Sequence, residues 1–132
     1  MNISNLINVR IAADSTYQLS CVANGGSQQR VTVSQNGKTL ATFNGSGDGI
    51  QMKLQDGTTT SSGTTRQATQ LSLLFQHSKN GSNGPFQNST LTLDSTAGIV
   101  RTIASGDSSS GDNSDTVLTL VVTNAAAASA GH

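Results

Sequence analysis

Turn-forming pairs break this chain roughly every ten residues, and that spacing is what most restricts its fold. Asp14-Ser15, Asn24-Gly25-Gly26, Asn36-Gly37, Asn44-Gly45, Asp56-Gly57, Asn80-Gly81 and Thr96-Ala97-Gly98 separate runs that are too short for stable helices. The runs at 8–12, 17–23, 30–35, 38–43, 50–55, 68–77, 89–93, 98–104 and 116–123 are rich in Val, Leu, Ile and Thr, residues that suit a pleated, half-buried surface. Glu and Trp are absent, and the charged helix formers Lys and Arg number only seven together. The expectation is an all-β protein, an antiparallel β-sandwich of about nine strands.

The hairpin over 31–43 is the sharpest local expectation, because Asn36-Gly37 tolerates the positive φ of a type I′ turn. In 68–77, Leu71, Leu73 and Phe75 share one face and His77 continues it, while Ser72, Leu74 and Gln76 take the other. Val117-Leu118-Thr119-Leu120-Val121-Val122 is apolar on both faces, which predicts burial from two sides, by a second sheet and loops or by another subunit. With 132 residues the chain fits one domain, 1–124, followed by an Ala-rich tail at 125–132.

Charge and composition exclude several function classes. The formal net charge is zero and the seven basic residues stand singly, so a phosphate backbone has nothing to bind. Four aromatic residues, Tyr17, Phe43, Phe75 and Phe86, are too few for a base-stacking surface. A single cysteine, Cys21, cannot form an internal disulfide; it alternates with Tyr17 and Leu19 and reads as a small buried apolar group. His77 has no nearby His, Cys or Glu to complete a transition-metal site, and His132 ends the chain. The first residues lack the basic and apolar regions of an ordinary secretory signal, so synthesis in the cytoplasm is expected, and a surface location would need another export route. No apolar stretch has the roughly 20 residues that span a bilayer. Ser, Asp and His are present without a Gly-x-Ser-x-Gly turn or other spaced nucleophile motif, which argues against an enzyme.

Chemistry concentrates between Ser105 and Asp115. Three of the seven acidic residues, Asp107, Asp112 and Asp115, fall within nine positions among Ser, Gly and Asn, with no Lys or Arg after Arg101. Such carboxylates repel one another unless a cation or water holds them, and Asp, Asn and Ser oxygens on a Gly-rich turn suit a hard cation such as Ca²⁺. A solvated loop without a ligand is the competing reading.

The stretches Val9 to Tyr17, Val22-Ala23-Asn24-Gly25-Gly26-Ser27, Val31 to Val33, Leu40 to Gly45, and Gly106 to Val122 together resemble the bacterial two-calcium fucose- and mannose-binding lectins. The resemblance implies a calcium-dependent carbohydrate-binding protein. It places Asn24, Asp112, Ser114 and Asp115 at the metal, and Gly25, Gly26, Ser27 and Asp107 beside the sugar. This sequence departs from the family pattern at Gly106, Ser110 and Ser114, where the family carries Glu, Asp and Asn. With fewer loop carboxylates to balance the charge, the implication is one Ca²⁺, or two held weakly. Partners would be a glycoconjugate and further copies of the chain, as a dimer or tetramer. The alternative is a metal-free lectin-like sandwich serving as an oligomeric structural or protein-interaction module.

Overall fold

The computed structural model describes residues 6–78, 86–106 and 116–124. No helix occurs among them, and nine strands form antiparallel ladders. They are β1 (Leu6–Ile11), β2 (Ser15–Gln35), β3 (Lys38–Gln51), β4 (Thr60–Thr64), β5 (Thr69–Ser78), β6 (Gln87–Asn88), β7 (Thr90–Ala97), β8 (Val100–Gly106) and β9 (Thr116–Asn124).

Strand β2 organises the molecule, because its 21 residues run through both layers of the sandwich. Its first half lies between β4 and β9, and β8 and β7 continue that sheet outward. Its second half lies between β5 and the first half of β3, with β1 and β6 on the other side of β5. The expected strands at 17–23 and 30–35 are therefore one strand. Asn24-Gly25-Gly26 is a bend within it and not the predicted turn. The register shows why: Gly25 pairs with Gly47 and Gln29 with Gly45, so residues 26–28 stand against Ser46 alone. Extra residues on one strand force a bend, and glycine accepts it at least steric cost. Asn44-Gly45 likewise lies inside β3 and is not a turn.

The Asn36-Gly37 hairpin has the expected geometry, with φ of 54° and 78° and Gln35 paired to Lys38. Strand β4 was not legible as a strand, because Thr-Ser-Ser-Gly-Thr has no apolar alternation. It forms by pairing to β2, with the Tyr17 ring lying over Gly63. The predicted turn Asn80-Gly81 falls outside the described residues.

The core follows the period-2 stripes. Val9 and Ile11, Tyr17 to Ala23 at alternate positions, Val31 and Val33, Leu71, Leu73 and Phe75, and Leu118 and Leu120 all face inward and are buried, with Phe43, Met52 and Ile103 between them. Each large side chain buried in this way contributes about 1.5–3 kcal/mol. Cys21 is buried among them, and desolvation pushes its thiol pKa upward. Only one face of β9 is fully buried among the described residues, so a second sheet of this chain does not cover the other face. Thr116, Leu118 and Leu120 point inward, while Val117, Thr119 and Val121 are half-exposed.

Candidate functional site

The bend in β2 brings the candidate residues to one end of the sandwich. Ala23 pairs with Thr116, and Thr116 pairs with Ser105 on its other side. Strand β9, which follows the acidic loop, thus begins next to Asn24, and β8, which precedes the loop, ends one strand further away at the same end of the sheet. Asp107, Asp112, Ser114 and Asp115 themselves lie outside the described residues; the register fixes the strands on either side of them. Gly25, Gly26 and Ser27 form the bend beside those strands.

Asn24 is held from the opposite side. Its Oδ1 accepts a 3.0 Å hydrogen bond from the Gly49 backbone N–H, and its backbone pairs with Asp48. Gly47 and Gly49, with φ of 110° and 68°, take the left-handed conformations that let β3 wrap this corner.

Beneath the corner the interior is polar. Gln29, His77, Ser78, Ser89, Ser105 and Thr116 are all at most 2% exposed. Thr116 Oγ1 donates to Gln29 Oε1 at 2.7 Å, and His77 Nδ1 lies 2.9 Å from Ser89 Oγ. The Ser105 hydroxyl has no partner among the described residues.

Composition did not single out Gln29, Thr116, Ser105 (beyond its place at the start of the acidic stretch) or Asp48. For the first three a signal was present, since Gln29 precedes Val31 and Val33 at period 2, Thr116 precedes Leu118 and Leu120, and Ser105 follows Ile103. Asp48 carried none, because its place opposite Asn24 depends on the bends in β2 and β3.

No group of three His, Cys, Asp or Glu among the described residues could hold a metal ion. The candidate donors are oxygens: the Asn24 amide and, by sequence, the loop carboxylates. That donor set fits a hard cation and gives a thiophilic one nothing to bind. His77 is engaged with Ser89 and Cys21 is buried in the core. A surface concavity of about 390 Å³, lined by Thr39, Leu40, Leu54, Asp56 and Ser61 among others, includes none of the corner residues. Asp56 there is held below the usual carboxylate range by hydrogen bonds from the Thr58 hydroxyl and backbone.

The sandwich carries its Asn-Gly-Gly bend at the end where β9, the strand that follows the acidic stretch, meets β2. The profile of the fucose-binding lectin II (PA-IIL) family matches residues 9–124, and the chain belongs to that family. No curated protein matches it by sequence at a significant level. Among solved structures it is similar to the Ralstonia solanacearum high-affinity mannose-binding lectin, at 19% identity and TM-score 0.58, covering 88% of this chain and 93% of the other. The Chromobacterium violaceum lectin CV2L, solved with α-methyl-fucoside, gives 15% identity and TM-score 0.59 over 89% and 94% of the two chains. The C-terminal domain of the BC2L-C lectin from Burkholderia cenocepacia gives 16% and 0.56 over 86% and 91%. At these identities the structural likeness establishes the shared fold. No helix among the described residues is long and apolar enough to cross a membrane.

Proposed function

We propose that this lectin binds fucose- or mannose-type sugars through calcium held by Asn24, Asp112, Ser114 and Asp115. In this reading Gly25, Gly26, Ser27 and Asp107 lie against the sugar, and the protein performs no catalysis. The observation that supports it is the register that starts β9, directly after the acidic loop, beside Ala23 and Asn24. Calcium, when bound, supplies open coordination positions that paired ring hydroxyls can fill. The chain's own part is to bring neutral and charged oxygens from two distant segments to one corner. The glycines of the bend leave room for a sugar ring, and the Ser27 hydroxyl is the one hydroxyl in that bend.

Calorimetric titration with calcium, followed by α-methyl-fucoside and methyl mannoside, tests this. Calcium uptake and calcium-dependent sugar binding are expected, and Asp112→Asn or Asp115→Asn should abolish both while leaving the fold intact. No uptake at millimolar calcium would refute the mechanism and leave the metal-free interaction module.

The same reading includes assembly into a homo-oligomer through the outward face of β9. There Val117 and Val121 are half-exposed, Val121 pairs with Val100, and Leu93 on β7 is 49% exposed. A clean monomer in sedimentation at micromolar concentration would exclude it.

A further inference from the structure

We propose that the concavity between β3 and β4 is a second carbohydrate site, one that takes a neutral, hydroxyl-rich ring without a metal. It lies where the outer strands of the two layers face each other. Over residues 38–43, β3 pairs with β2 alone among the described strands, and β4 does the same in the other layer. The segment 52–58 crosses this open side. Met52 N–H donates to Cys21 O in the first half of β2 at 2.9 Å, and Lys53 and Asn44 exchange two main-chain bonds of 2.9 Å. Beyond Lys53 the chain closes on itself, with Leu54 N–H bonded to Thr58 O at 2.7 Å and Gly57 N–H to Leu54 O at 2.9 Å. Main-chain bonds thus fix this wall before any ligand arrives, which lowers the ordering cost of binding.

The lining selects by what it combines. Apolar Leu40, 45% exposed, and half-buried Leu54 stand with the Asp56 carboxylate and with Thr39, Thr42 and Ser61, which carry hydroxyls. Asp56 Oδ1 accepts bonds from the Thr58 N–H at 3.0 Å and the Thr58 hydroxyl at 2.6 Å, which orient the carboxylate and leave Oδ2 without a partner among the described residues. An anion would be repelled by Asp56. A metal ion would find a single carboxylate, and an aromatic ligand no ring to stack on. A sugar ring meets each group present: its hydroxyls donate to a carboxylate oxygen and exchange bonds with Thr and Ser, and its C–H face rests on leucine. The volume of about 390 Å³ lies within the roughly 300–1,000 Å³ of small-ligand sites.

The test is a titration of the ¹⁵N-labelled protein, in excess chelator, with α-methyl-fucoside, methyl mannoside and methyl glucoside at high millimolar concentration. Chelator removes any sugar held through calcium, so this result and the calcium result fail separately. At least one sugar should shift the amide signals of Leu40, Thr42, Asp56, Thr58 and Ser61. Asp56→Asn keeps an acceptor for the Thr58 bonds, and Leu40→Ser removes apolar surface at an exposed position, so both variants should keep the fold, as melting in chelator checks. Each should weaken the binding about five- to tenfold. No shifts at these residues with any of the three sugars, or shifts that neither substitution weakens, would overturn the site. Tetramethylammonium binding there more tightly than every sugar would also overturn it, by showing a pocket for organic cations.

Discussion

Replacing Asn24 with alanine separates the two tasks assigned to this side chain. Without calcium the change removes the 3.0 Å bond from Gly49 N–H, a bond exposed to water. Its loss should cost about 0.5–1.5 kcal/mol. For a chain of 132 residues the unfolding entropy converts each kcal/mol into about 4 °C, so melting in chelator should fall by about 2–5 °C. Calcium adds a second term. A site with a Kd of about 10⁻⁴ M stabilises the native state by about 2.7 kcal/mol at about 10 mM calcium, or about 10 °C. If removal of one ligand weakens binding about tenfold, that increment falls to about 1.4 kcal/mol, near 5 °C. Differential scanning fluorimetry of both proteins, in chelator and in calcium, yields all four melting temperatures. A variant that loses the same few degrees in both conditions would show that Asn24 only fastens β3, and the ligand assignment would be wrong.

Two further outcomes follow from the fold. A Cβ on Gly63 would lie 2.6 Å from the Tyr17 hydroxyl oxygen and 2.7 Å from Cζ. Gly63→Ala should therefore destabilise by about 1–3 kcal/mol in urea melts, and pairing it with Tyr17→Leu should cost less than the sum of the single changes. Burial holds the Cys21 thiol protonated in the native state after an unfolded thiol has ionised. The unfolded chain then binds fewer protons than the folded one, so stability should fall above about pH 8.5 by up to about 1.4 kcal/mol per pH unit. Cys21→Ala should remove that component of the alkaline decline, and an unchanged slope would count against the burial argument.

The stripes of the sandwich were legible because burial follows period 2: Leu71, Leu73 and Phe75 are inward and buried as read. The bends were not. Asn24-Gly25-Gly26 and Asn44-Gly45 have the composition of turns, yet each sits within a strand, because the second half of β2 finds new partners in β5 and β3 instead of reversing. Local residue preference is the same for a bend and a turn, and only the pairing decides between them. The candidate site was legible in part for the same reason. Asn24 and the acidic loop stood out by composition, whereas Asp48 comes opposite Asn24 only through the bulged register.

The two ends of the sandwich differ in how they close, which bears on where a ligand would sit. At the end near Ser15, the buried Thr65 hydroxyl bonds to backbone atoms, Ala12 O and Ser15 N. Such bonds satisfy main-chain groups that would otherwise be stranded, and closing a sheet requires them. At the other end the buried groups bond from side chain to side chain across strands, Thr116 to Gln29 and His77 to Ser89. Bonds of that kind make up only about 10–15% of those in folded proteins. Apolar residues would close that end at no greater cost. The polar layer therefore lies beneath the bend at Gly25 to Ser27 and the ends of β8 and β9, and a ligand bound at this end would sit above side chains tied across the layers.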